Sequence, residues 1–253
     1  MKHKFLFILL FSLVLEGMVT TQAVAGDYVH QVNTLIGTKG TGLTSGYLYP
    51  GATYPYGMVQ FTPSYFSKRS GFVINQLSGG GCEHMGNFPT FPVKGKLKMS
   101  PDNILNYRIN VSEEKGHAGY YEAMVQEDIK AKLTVTERTG MASYEYPADQ
   151  QYGTIIIGGG ISATPIEQAA IVITAPNKCE GYAEGGNFCG LRTPYKVYFV
   201  AEFDTDAFET GTWKREELMP NTTFAEGEYS GVYFTFDVNK KKNIQYKLSL
   251  IHI

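Results

Sequence analysis

Residues 129–138 read Ile-Lys-Ala-Lys-Leu-Thr-Val-Thr-Glu-Arg. Ile129, Ala131, Leu133 and Val135 alternate with Lys130, Lys132, Thr134 and Thr136. Side chains along a strand point to opposite faces in turn, so this spacing puts one apolar face on a core and one polar face in solvent; a helix would scatter the same residues around its axis. The rhythm recurs from Val93 onward, broken by turn residues. It predicts strands over 94–99, 106–112, 119–126, 141–146, 153–157, 166–174, 196–203, 231–237 and 244–250. Glu113 to His117 reads as a charged turn, 177–190 as a glycine-rich loop, and Asn239-Lys-Lys-Lys-Asn243 as a hairpin turn. Many short strands with regular turn signals predict an all-β, antiparallel β-sandwich. The glycines after Ile155-Ile156-Ile157 do not make a dinucleotide site, because that fingerprint opens a helix, whereas here Pro165 and another strand pattern follow.

The chain ahead of this pattern sets its class. Lys2 and Lys4 precede an apolar run from Phe5 to Leu15, and Ala23-Val24-Ala25 is a small-residue cleavage site, so 1–25 is expected to be a signal peptide. The run is too short to span a bilayer, and no later segment is long and apolar enough. Residues 26–253 suffice for one domain with a core of its own. A formal net charge of -2 argues against a nucleic-acid surface. Asp204, Asp206 and Glu209 lack the full oxygen-ligand pattern of a calcium loop and read as a solvated turn. Of the three cysteines, Cys179 and Cys189 lie close enough to close a loop in an oxidising compartment, which would leave Cys82 alone.

Two stretches concentrate polar and aromatic groups. Ser45 to Pro63 hangs Tyr47, Tyr49, Tyr54 and Tyr56 on a loop that Pro50 and Pro55 stiffen and Gly51 and Gly57 let turn tightly; Met58 to Phe61 is expected to anchor it as a strand. Two readings of the tyrosines stand open at this point: a cap on the core of the sandwich, or a platform for a ligand with apolar faces and hydroxyl edges, which describes a sugar. The second stretch is Leu77-Ser-Gly-Gly-Gly-Cys-Glu-His-Met-Gly-Asn-Phe-Pro89, where three glycines precede Glu83, His84 and Asn87. Such a loop either aims several side chains at one point beside the tyrosine loop or leaves them in water.

Three motifs carry a resemblance: Val32-Asn-Thr-Leu-Ile-Gly-Thr38, Pro50-Gly-Ala-Thr-Tyr-Pro-Tyr-Gly-Met-Val-Gln60 and Leu77-Ser-Gly-Gly-Gly-Cys82. Gly119-Tyr-Tyr121, Leu133 to Gly140 and Tyr198 to Phe203 fit as well. In this order they resemble the amino-terminal domain of glycoside hydrolase family 92, secreted bacterial exo-acting α-mannosidases. The resemblance implies a sandwich that packs on a large helical (α/α)6 catalytic domain of the same chain, with mannose-containing glycans as substrate and calcium as cofactor. Members invert configuration, which needs a carboxylic acid and a carboxylate about 6.5–9.5 Å apart. In the family these and the calcium ligands lie mainly on the helical domain. No residue of this sequence matches them, so no catalytic acid or base and no metal ligand is assigned.

What carries over is a set of sugar-pocket residues from the two loops: Tyr54, Tyr56, Gly57, Phe72, Gly81, Cys82, Glu83, His84 and Asn87. Val73-Ile-Asn-Gln76 stands where many members carry a histidine-containing stretch, which bears on linkage or substrate choice. The chain is expected to be a piece of a longer enzyme, inactive alone, with Leu248 to Ile253 resembling translated sequencing adapter. Its expected address is the periplasm or cell surface of a bacterium. A free-standing carbohydrate-binding or interaction module is the alternative.

Overall fold

The computed structural model describes residue 28 and residues 31–38, 48–64, 71–77, 85–104, 110–158 and 166–252; the expected signal peptide lies outside them. Residues 32–253 form one compact unit, which carries every strand. Among the described residues there are two antiparallel sheets, with strands numbered in chain order. The first has eight strands. They are β1 (Ala52–Thr53), β2 (Gln60–Pro63), β3 (Phe72–Val73), β4 (Thr90–Lys94), β9 (Tyr152–Gly158), β13 (Glu209–Lys214), β14 (Glu217–Pro220) and β16 (Ser230–Asp237). They lie in the order β1-β2-β3-β4-β9-β16-β13-β14. The second has nine, namely β5 (Val111–His117), β6 (Tyr120–Val125), β7 (Ile129–Val135), β8 (Thr139–Glu145), β10 (Ile166–Ala175), β11 (Lys178–Phe188), β12 (Leu191–Phe203), β15 (Phe224–Glu226) and β17 (Asn243–His252). Their order is β15-β10-β11-β12-β17-β8-β7-β6-β5.

The sandwich expected from the alternation is the one observed. Ile129, Ala131, Leu133 and Val135 of β7 are buried, and Lys130, Lys132 and Thr134 between them face outward. The inner faces meet through aromatic rings, whose large apolar area dominates such a core. Phe203 on β12 reaches Phe234 and Phe236 on β16, with centroids 4.7 and 5.1 Å away, and Phe72 on β3 stacks on Tyr144 on β8 at 6.0 Å. The hydroxyls that enter with Tyr144 and Tyr246 are paired. Tyr246 donates to Thr90 Oγ1 at 2.5 Å and lies 3.2 Å from the Tyr144 hydroxyl. Burial holds both phenols above their ordinary pKa, so they stay neutral.

Several local expectations give way to the fold. Residues 94–99 are not a strand: β4 ends at Lys94, and Gly95 takes a left-handed φ of 76° with its N–H on Tyr152 O, which turns the chain out of the ladder. Glu113 to His117 is not a turn but the body of β5, with a register shift between Ser112 and Lys115 that places Glu113 at φ 52°. The glycine-rich stretch 177–190 is mostly β11, hydrogen-bonded on both sides by β10 and β12. Glycine is required there: a Cβ on Gly181 would stand 2.2 Å from Ala170 O. The lysine run is no hairpin, since it links β16 in one sheet to β17 in the other. Lys241 is tied there to Asp204 at 2.7 Å. Cys179 is a free, buried thiol and Cys189 is disulfide-bonded, so the two are not joined to each other. The third cysteine, Cys82, lies outside the described residues.

One buried carboxyl gives the fold a pH dependence. Ser100 caps a 3-10 turn, Pro101–Ile104, accepting the Asp102 N–H at 3.2 Å while its own hydroxyl donates to Arg215 O. Burial pushes the Asp102 carboxyl up from 3.8 to about 6. The Trp213 indole and the Arg215 guanidinium offset part of that, but the indole N–H completes no hydrogen bond of good geometry with it. A carboxyl raised on folding stabilises the fold below its unfolded value, and this contribution is lost as pH rises through the folded value. Asp102→Asn is therefore expected to gain up to about 3 kcal/mol over the parent at neutral pH and little near pH 4. Urea titrations at several pH values between these limits check it, and parallel curves for the two proteins would refute it.

Candidate functional site

The tyrosine loop is the connection of a β-hairpin. β1 pairs with β2 through Ala52–Phe61 and Thr53–Gln60, and residues 54–59 join them. At its base Gly51 presses on β2, with its N–H on Thr62 Oγ1 at 3.2 Å. At its tip the Gly57 N–H bonds Tyr54 O at 3.0 Å, and Tyr56 sits at φ 59°. The Met58 N–H then bonds Glu137 O at 2.7 Å, and the Gln60 N–H bonds Ile74 O at 3.0 Å, so both sheets hold the loop. A side chain on Gly57 would stand 3.1 Å from Tyr54 O and 3.2 Å from Glu137 O. The rings part company. Tyr49 turns into the core, Tyr54 is half-exposed and Tyr56 wholly exposed, and Tyr47 is outside the described residues.

A cleft of about 510 Å³ opens beside this hairpin. Thr53 and Gly57 to Gln60 form one wall, Asn75, Gln76 and Leu77 another, and Met85, Tyr195 and Lys196 close it. The amide pair beneath it is held firmly: Asn75 Nδ2 donates to Asn87 Oδ1 at 2.9 Å, and the Asn87 N–H donates to Asn75 Oδ1 at 2.8 Å. This pins the turn at 85–88, where Met85, Gly86 and Phe88 all have positive φ and Phe88 plugs the core against Phe199 at 4.2 Å. Non-glycine residues in that region are strained and persist only where the surroundings hold them. Among the described residues of the lining Lys196 brings the one cationic side chain, and its ammonium is engaged. It donates to Glu184, which raises its pKa, and lies 4.2 Å over the Tyr182 ring.

Of the residues expected at a sugar pocket, Gly57 lines the cleft. Tyr54 and Tyr56 stand on the same loop but outside its lining. Phe72 is a core residue, fully buried against Tyr121 and Tyr144, because β3 is an inner strand covered by the second sheet. Asn87 is also fully buried and reaches the cleft only through Asn75. Gly81, Cys82, Glu83 and His84 lie outside the described residues. Gln60 and Gln76 belong to stretches that carry or depart from the family motifs but are not among the expected pocket residues, and neither are Tyr195 and Lys196. The last two come from β12, far along the chain, and no local pattern announces that contact.

Residues 31–250 match the family described as "Glycosyl hydrolase family 92 N-terminal domain". The chain belongs to this family. The family 92 domain is similar to an "Uncharacterized secreted glycosidase" of Arthroderma benhamiae, with 30% identity over 159 residues, 54% of this chain and 20% of the relative. Among solved structures, a family GH92 α-mannosidase of Bacteroides thetaiotaomicron in complex with mannoimidazole superposes with a TM-score of 0.74 at 24% identity, over 88% of this chain and 32% of that one. A family GH92 inverting mannosidase of the same species gives 0.69 at 22% identity, over 88% and 31%. At these identities the structural likeness establishes the fold. The family 92 chain thus spans a fifth to a third of these relatives. Among its described residues no group of three or more His, Cys, Asp or Glu is placed to hold a metal ion, so the described part does not fit the calcium that the resemblance implies. No helix among them is long and apolar enough to cross a membrane.

Proposed function

We propose that this domain is the sandwich part of an exported, calcium-dependent, inverting exo-α-mannosidase, and that its hairpin cleft contributes one wall of the sugar site. The observation that carries this is the family match over 31–250, with α-mannosidases among the proteins of the same fold. The cleft suits that role. It offers Met58, Val59, Leu77 and Met85 to the C–H face of a sugar and amide groups to its hydroxyls, as small-molecule sites do. The chain's own residues bind and orient; the acid, the base and the calcium ligands belong to a helical catalytic domain packed against the sandwich. Export rests on the basic and apolar run at 2–15 and on the secreted relative.

The test is hydrolysis of an aryl α-mannoside by the full-length protein, with the anomer of the released mannose followed by NMR before mutarotation. The expected result is β-mannose as first product, and loss of activity on chelation that calcium restores. Release of α-mannose, or turnover of a different glycoside only, overturns the proposal. Binding of mannosides without turnover would instead make the protein a carbohydrate-binding module.

A further inference from the structure

We propose that the Gln76 carboxamide is the group that selects the ligand in the cleft, by bonding two neighbouring hydroxyls of one uncharged sugar ring; this rests on reading the cleft as a sugar site. Gln76 is 2% exposed and lines the cleft, yet neither its Nε2 nor its Oε1 has a hydrogen-bond partner. Leaving buried polar atoms unsatisfied costs about 1–3 kcal/mol each, so native folds rarely carry two on one side chain without a use. The neighbouring amide shows the contrast: Asn75 spends both its carboxamide atoms on Asn87. The backbone leading to Gln76 is fixed two residues earlier, where the Ile74 carbonyl accepts from the Gln60 N–H at 3.0 Å, while the buried Gln76 head has no partner.

The chemistry of the lining narrows the ligand. A carboxamide presents an acceptor and a two-proton donor side by side in one plane, which matches a donor and an acceptor on adjacent hydroxyls. Among the described residues no carboxylate lines the cleft, and the Lys196 charge is already answered by Glu184. Among those residues an anionic ligand such as a phosphate would find no free cation, and a metal ion no anionic ligand. Met58, Leu77 and Met85 leave an apolar wall for the ring itself.

The experiment is a calorimetric titration of the full-length protein and its Gln76→Leu and Gln76→Glu variants with methyl α-D-mannopyranoside and its monodeoxy analogues, with thermal unfolding alongside. Gln76→Leu is expected to unfold at the same temperature as the parent or higher, since it removes two unsatisfied atoms, and to bind the parent mannoside about tenfold or more weakly. Removing either of two adjacent hydroxyls should weaken the wild type by about tenfold and leave Gln76→Leu unaffected. Gln76→Glu, which keeps the shape and loses the amide donor, should fall between. Equal affinity of wild type and Gln76→Leu, or equal losses with every deoxy analogue, overturns the role of Gln76 and leaves the sugar site standing. Failure of the wild type to bind any mannoside overturns the sugar site, and the inference with it.

Discussion

Gly51→Ala is expected to cost about 3 kcal/mol or more in urea unfolding and to disrupt the cleft with it. The added Cβ would lie 2.2 Å from Phe61 O and from Thr62 Cβ, and 2.4 Å from Thr62 Cα. Two of these neighbours, Phe61 O and Thr62 Cα, are backbone atoms of β2, and Phe61 and Thr62 are fully buried, so neither side has room to yield. β1 would have to leave β2, which breaks the Ala52–Phe61 pairing and frees the hairpin that carries Gly57, Met58 and Gln60. Gly95→Ala is the control. It has an unfavourable φ of 76° but nothing within 4 Å of the added methyl, so it should cost only about 1 kcal/mol. Equal losses for the two variants would mean that close approach at Gly51 is not what holds the loop.

Phe203→Ala should be the most damaging truncation of the core, at about 3–5 kcal/mol. The ring is 2% exposed and touches three others, Phe234, Phe236 and Tyr246, with centroids 4.7, 5.1 and 5.2 Å away. Two of those lie on the opposite sheet, so the substitution opens a cavity across the sandwich that aromatic neighbours cannot fill by small shifts. Phe224→Ala, at a 54% exposed position on β15, should lose less than about 1 kcal/mol by the same denaturant titration. A loss at Phe203 no larger than that at Phe224 would contradict the packing described for the interior.

Much of the sandwich is legible because its strands alternate: β7 can be read from Ile129, Ala131, Leu133 and Val135 almost to the residue. The errors share a cause. β11 carries three glycines, and a propensity argument makes a loop of it, but pairing on both sides with β10 and β12 overrides propensity. The charges of Glu113 to His117 and of the lysine run likewise point outward without saying whether the backbone beneath them is strand or crossover. The candidate site is legible only in part. Gly57 follows from the chain's need to turn. Phe72 and Asn87 sit in the right segments but point into the core, and a loop sequence does not state which way its side chains face. Lys196 and Tyr195 join the cleft through strand order alone. The empty carboxamide of Gln76 is visible only once its surroundings are.

The most direct measurement is a crystal structure of the full-length protein with mannoimidazole bound. The account predicts that the inhibitor lies against the hairpin cleft, with ring hydroxyls within hydrogen-bond distance of the Gln76 carboxamide and the ring over Met58 or Leu77. An inhibitor bound elsewhere, with none of the cleft residues in contact, would contradict the assignment of this cleft to the sugar.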